Sequence, residues 1–186
     1  MIVNSMLFNV VVLTALWTIS ISGEEITACP SDTVSVNVTT NDDMQRLTDA
    51  MNCTGQGVFN VMLYSSVQVN KRIEVSNQKR VHITGSGFPA IRAEPCDNEL
   101  LSASPYAGTT TGIFLVSNHS TLSINALVLE GGCGEDGGGV AVLASSCLHA
   151  YACTFRNNSA AAGGDILVGR RAKQPTKTRN VNITTP

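Results

Sequence analysis

Three observations predict an all-β chain wound as a right-handed parallel β-helix. The first is a repeat: residues 112–168 match themselves at a spacing of 26 residues, so that Gly112, Phe114 and Val116 fall on Gly138, Val140 and Val142, then on Gly164, Ile166 and Val168. The pieces between obey the same shift, placing Leu122 on Leu148, Ile124 on Ala150, Leu127 on Cys153 and Leu129 on Phe155. A fixed period of this size marks a solenoid, whose repeats bury their apolar faces only against neighbours. The second is alternation within each unit, as in Gly-x-Phe-x-Val and Leu-x-Ile, which is the periodicity of strands and not of helices. The third is the turn chemistry: Gly131-Gly132 fall on Asn157-Asn158, and glycine and asparagine accept the left-handed conformation of a tight corner most easily.

Taken in order, the chain opens on an apolar run at 6–21 that holds Val10-Val11-Val12-Leu13 and ends in Ser22-Gly23 before Glu24-Glu25. Residues 1–23 are therefore expected to be a secretory signal peptide cleaved at Gly23. The rival reading is an uncleaved anchor, in which case this segment is the one contact with a membrane; its shortness and Asn9 favour cleavage. Residues 24–56 read as an N-terminal cap. A strand is predicted at 33–39, and Asn41 is placed to cap a helix over 42–51 with Met44, Leu47, Ala50 and Met51 at helical spacing. Such a helix would cover the open end of the solenoid, an edge that otherwise invites aggregation. Cys29 and Cys53 flank this unit, and a disulfide between them is predicted to tie it shut.

Coils are expected over 57–168. Short strands read at 58–63, 67–69, 73–75, 81–83 and, more weakly, at 90–93, separated by turn signals such as Asn70-Lys71, Asn77-Gln78 and Gly85-Ser86-Gly87. No two-residue Asn-Gly or Asp-Gly turn joins any pair, which argues against hairpins. Residues 94–111 carry Pro95, Cys96 and Pro105 with little periodicity and read as a loop bulging from a coil corner. Residues 169–186 are polar and basic with two prolines, and read as a disordered tail. Ile166 and Val168 would then end the core without a cap. That predicts a solenoid truncated at its C-terminal end, open to self-association or to cover by another chain.

Composition narrows the compartment and the partners. Of 186 residues 43% are hydrophobic and 14% charged, with a formal net charge of −2, which suits one domain with a sizeable core. Between 24 and 168 lie seven basic and fourteen acidic residues, while Arg170, Arg171, Lys173, Lys177 and Arg179 crowd the end. The body offers no basic face interleaved with aromatics, so nucleic acid is excluded as a partner. The six cysteines, Cys29, Cys53, Cys96, Cys133, Cys147 and Cys153, all follow the signal, as in an oxidising compartment, and are disulfide candidates. Asn37, Asn52, Asn118 and Asn182 begin glycosylation sequons. Asn157 begins another, but its corner position is expected to bury it in part.

Two resemblances rest on particular residues. Residues 58–87, with Val81-His82-Ile83-Thr84-Gly85-Ser86-Gly87, look like the opening coils of pectate-lyase-like right-handed β-helix proteins, where a preceding helical cap is usual. Phe155-Arg156-Asn157-Asn158 followed by Gly163-Gly164-Asp165-Ile166 is similar to the paired FxxN and GGA[ILV] repeats of polymorphic outer-membrane proteins, which are secreted β-helix adhesins. Asp165 departs from the small or apolar residue expected there, and Leu129-Glu130-Gly131-Gly132 lacks both Phe and Asn. The resemblance spans 58–168 and implies the fold more than any activity.

Enzymes of the resembled fold act on acidic polysaccharides from an outward strand face, with clustered carboxylates, often calcium, and a basic residue. The repeat assigns Ile113, Gly139 and Asp165 to one outward stack, and Leu115, Ala141 and Leu167 to the next. These hold one carboxylate and no base, so proton abstraction beside a sugar carboxylate has no machinery there. No catalytic residue is assigned. His82 and His149 sit mid-strand between inward residues and are expected in solvent; His119 lies in a sequon, and the three are read as sharing no coil position. Cys147 and Cys153 lack metal or redox spacing. No cofactor is expected, calcium at Glu135-Asp136 being the weak exception. The expected function is therefore a secreted or cell-surface, non-catalytic β-helix for adhesion, contacting an extracellular glycan or surface protein. The alternative is a carbohydrate-active lyase- or epimerase-like β-helix with its site in the 94–111 loop or on further coils.

Overall fold

A computed structural model describes residue 29, residues 32–93, 112–143 and 145–169, and the segments 177–179 and 182–184. The signal segment 1–23 and the 94–111 loop with Cys96 lie outside the described residues. The first elements are β1 (Val34–Val38), α1 (Asn41–Met51), β2 (Val58–Leu63), β3 (Val67–Val69), β4 (Ile73–Val75), β5 (Arg80–Gly85) and β6 (Ala90–Ala93). Next come β7 (Phe114–Val116), β8 (Thr121–Asn125), β9 (Val128–Glu130), β10 (Cys133–Asp136), β11 (Val140–Val142) and β12 (Cys147–Tyr151). The last are β13 (Thr154–Arg156), β14 (Ser159–Ala162), β15 (Ile166–Val168), β16 (Lys177–Arg179) and β17 (Asn182–Thr184).

Every strand pairing is parallel. The strands stack into a six-stranded sheet (β1-β2-β5-β8-β12-β16), a five-stranded sheet (β17-β13-β9-β6-β3), a four-stranded sheet (β15-β11-β7-β4) and a two-stranded sheet (β10-β14). This is a parallel β-helix. The predicted register is the observed one: Val140 pairs with Phe114 and Ile166, Leu148 with Leu122, and Phe155 with Leu129. The coil that contains the 94–111 segment is longer, because Ile73 pairs with Phe114 and Arg80 with Thr121.

Inward residues of successive coils make one core. Phe59, Val81, Leu122 and Leu148 stack in one buried column, and Ile91, Leu129 and Phe155 in another. Corners are closed by left-handed residues, among them Gly131 (φ 76°) and Asn157 (φ 54°), as the glycine and asparagine pairs predict. The second member of each pair does something different. Asn158 is buried, its Oδ1 accepts from Gly132 N at 2.8 Å, and its Nδ2 donates to Leu129 O at 3.0 Å. A Cβ at Gly132 would lie 1.9 Å from Gly138 O, so this neighbour of the asparagine has to be glycine.

The N-terminal cap forms as an amphipathic helix should, with Met44, Leu47 and Met51 buried against the first coil. Its N-cap is Thr40, not Asn41: Thr40 Oγ1 accepts from Asp43 N, and the Asp43 carboxylate accepts from Thr40 N at 3.0 Å. Those bonds, led by that from Thr39 N, hold the Asp43 carboxyl below its ordinary range. Asn41 instead ties the helix to β3, its Oδ1 accepting from Gln68 N at 2.8 Å. The Cys29–Cys53 disulfide is formed, as predicted.

Two expectations are corrected. The 169–186 segment is not wholly without structure, because β16 pairs with β12 and β17 with β13. The exposed backbone edges of β12 and β13 supply hydrogen-bond partners, which a Thr- and Val-containing segment can take up without forming a helix. Ile113, Gly139 and Asp165 do not face outward but are buried. Ile113 precedes β7, and strand alternation does not extend to it; Asp165 is held inside by Asn158 Nδ2, which donates to its Oδ1 at 2.8 Å.

Candidate functional site

The six-stranded sheet arranges outward residues that the sequence leaves scattered. Asn60 pairs with His82, His82 with Ser123, and Ser123 with His149. His82 and His149 therefore share one column, contrary to the expectation that the histidines occupy unrelated positions. The long coil hides this column, because it sets Ser123 further from His82 along the chain than the regular period. A second outward column holds Asn37, Met62, Thr84, Asn125 and Tyr151. Between them His82, Thr84, Ser123, Asn125, His149 and Tyr151 line a shallow groove of about 360 Å³. Their inward neighbours Ile83, Ile124 and Ala150 are buried, so the rotamers on the outer face stand on a fixed floor.

Strands of a sheet lie about 4.8 Å apart, so His82 and His149, with β8 between them, are about 10 Å apart. Among the described residues no group of three or more His, Cys, Asp or Glu is arranged to hold a metal ion. His149 does have a close neighbour: Cys147 Sγ lies 3.5 Å from its Nε2. Burial pushes the Cys147 thiol up, which favours the protonated thiol over an activated thiolate. Cys153 is a second thiol, buried in the core and also pushed up by burial. Cys133 is disulfide-bonded.

The other outward surfaces differ. On the four-stranded sheet Leu115 and Leu167 are half-buried and Ala141 is fully buried. On the five-stranded sheet the outward column is charged and closed: Glu130 Oε2 accepts from Arg92 Nε at 3.1 Å and from Arg156 Nη2 at 3.0 Å. The Glu130–Arg156 pair is the one the repeat predicts; Arg92 joins it because β6 pairs with β9. A second shallow space of about 580 Å³ lies at a coil corner, among residues that include Gln56, Gln78, Asn118 and His119. The sequon asparagines Asn37, Asn52 and Asn118 are exposed. Asn157 is exposed too, against expectation, because it is Asn158 that turns inward. Asn182 lies in β17, paired with Thr154.

Compared with known protein families, curated proteins and solved structures, the chain shows no significant match. Among the described residues no helix is long and apolar enough to cross a membrane.

Proposed function

We propose that this is a secreted or cell-surface β-helix that contacts an extracellular glycan without catalysing a reaction, and that it does so through the outer face of the six-stranded sheet. One observation carries this reading: parallel register gathers His82, Ser123 and His149, with Thr84, Asn125 and Tyr151, into one outward groove. Imidazole, hydroxyl, amide and phenol groups offer donors and acceptors suited to sugar hydroxyls, and none of the six is a carboxylate. The Cys29–Cys53 disulfide and the exposed sequons support an extracellular setting. The resemblance to FxxN adhesin repeats fits the roles of Phe155, buried in the core, and Asn158, which bonds the coil before it.

The test is a glycan array probed with the full chain secreted from eukaryotic cells, alongside Ser123→Arg. Ser123 is at the centre of the groove, and an arginine there would fill it while leaving the inward residues alone. The expected result is a defined set of glycans bound by the natural chain and lost in Ser123→Arg, at an unchanged melting temperature. Binding of no glycan, or equal binding by both proteins, would overturn the proposal.

A further inference from the structure

Charged residues are not shared evenly among the faces of the solenoid. The chain carries 14 acidic against 12 basic residues, yet no Asp or Glu stands at an outward register position on any strand of the six-stranded sheet. Basic residues do stand there. Arg80 and His82 are outward on β5 and His149 on β12, while β16 places Lys177 in register with His149 and Arg179 in register with Tyr151. Between these basic ends, the outward positions of β8 carry Thr121, Ser123 and Asn125, which are neutral donors and acceptors.

Arg80 also differs from the arginines of the other faces. Arg92 and Arg156 bond Glu130, and Arg72 lies 4.0 Å from Glu74. Arg80 is exposed and has no side-chain partner among the described residues. An unpaired cation on a face without carboxylates attracts anions, because nothing in the protein neutralises its field. Three inter-strand spacings separate β5 from β16, which sets the two basic ends about 14 Å apart. A single small anion cannot reach both, whereas an extended polyanion that crosses the strands can.

We infer that the outer face of the six-stranded sheet takes a sulfated glycan, laid across the strands with sulfates over Arg80 at one end and over β16 at the other. This rests on the glycan-contact reading above and names its ligand class and direction. Arg80 pairs in register with Thr121. A guanidinium offers two parallel donors and the hydroxyl a third, a set that suits the three free oxygens of a sulfate ester better than the two of a carboxylate. Ser123 and Asn125 then face the uncharged stretch of the chain, whose ring hydroxyls they can bond. Tyr151 is the one aromatic at these outward positions, so the face has no ladder on which successive nucleic-acid bases could stack.

The experiment is calorimetric titration of the full secreted chain with heparin-derived oligosaccharides from disaccharide to octasaccharide. The same oligosaccharides after desulfation, oligogalacturonates and single-stranded oligonucleotides of matching length are titrated in parallel. The sulfated series should bind most tightly, with the disaccharide weakest because it is shorter than the separation of the two basic ends, and its affinity should fall as salt is raised. Arg80→Gln, Lys177→Gln and Arg179→Gln should each weaken it by about twofold to fivefold, and the three together by about tenfold or more. Arg80→Gln should leave the melting temperature unchanged, because the side chain is exposed and bonds nothing in the protein. Lys71→Gln removes one charge at a corner away from this face and should bind as the natural chain does. If Lys71→Gln loses as much affinity as Arg80→Gln, the attraction belongs to overall charge and the assigned face is wrong. If oligogalacturonates or oligonucleotides bind as tightly as the sulfated series, the choice of sulfate is wrong. If neutral glycans bind and are lost in Ser123→Arg while the sulfated series does not bind, this inference falls and glycan contact in the groove stands. If no glycan of any kind binds, both fall.

Discussion

On the five-stranded sheet the outward column closes on itself. Arg92 and Arg156 both bond Glu130, so each charge meets its partner within the protein. On the six-stranded sheet the column runs through His82, Ser123 and His149 and on to Lys177 of β16, with no carboxylate in it, and His82, Ser123 and His149 border open space. The same stacking thus gives two results. Oppositely charged neighbours in register make a self-satisfied surface, whereas a mixed polar column leaves its bonding capacity turned outward. A sheet face on a solenoid is a candidate contact surface when its column cannot satisfy itself.

Both faces stand on the same core, and breaking that core is the largest effect expected. Leu122 lies under the six-stranded face and Leu129 under the five-stranded one, and both are fully buried. Leu122→Ala and Leu129→Ala should each destabilise the protein by about 2–5 kcal/mol. Urea unfolding measures this. If one costs less than about 1 kcal/mol, its face is not supported by the common core.

Next in size is Lys79, which immediately precedes β5 at the rim of the six-stranded sheet. It is 1% exposed, with its Nζ donating to Ser76 O at 3.1 Å, and desolvation lowers its pKa. Lys79→Met keeps the volume and removes the buried amine, and should stabilise the fold by about 1–3 kcal/mol at neutral pH. The folded pKa lies below the unfolded value of about 10.4, so between the two the unfolded chain binds more protons and the natural protein gains stability as pH rises. The advantage of Lys79→Met should therefore shrink as the pH is raised toward that value. Thermal melts of both proteins across this range check it; an advantage that widens with pH would show that the amine is not desolvated.

The two faces also differ in how far the sequence reveals them. Glu130 and Arg156 sit one regular period apart, so the ion pair is legible, as are the stacked Val140, Leu148 and Phe155. The histidine column is hidden because the coil between β5 and β8 carries the 94–111 segment, and no fixed shift maps His82 onto Ser123. Pairing strand 81–83 with the next strand of the same kind, instead of sliding a fixed window, would have found it. Asp165 misleads for another reason. Alternation assigns it outward, but Asn158 supplies a buried partner that a binary apolar–polar pattern does not encode. The tail strands β16 and β17 are missed because their pairing depends on edges offered by β12 and β13, not on local apolar periodicity.

The smallest effect sharpens the contrast between the faces most directly. Glu130 is held below the ordinary carboxyl range, first by its hydrogen bond from Arg156, with Arg92 adding to it, although partial burial acts the other way. Both arginines are about half exposed, so solvent screens the cluster and Glu130→Gln should cost only about 0.2–1 kcal/mol at neutral pH. Because the folded pKa is below the unfolded value of about 4.3, the contribution is complete above that value and is lost as pH falls through the lowered folded pKa. The stability difference between the natural chain and Glu130→Gln should accordingly close in strongly acidic solution, and should narrow at high salt. Ser123→Ala, made on the other face, should shift stability by less than about 0.5 kcal/mol with no such pH dependence. Urea titrations at neutral and acidic pH measure both. If Ser123→Ala proves as costly as Glu130→Gln, then the six-stranded column is bonded internally after all, and the distinction between a closed face and an open one fails.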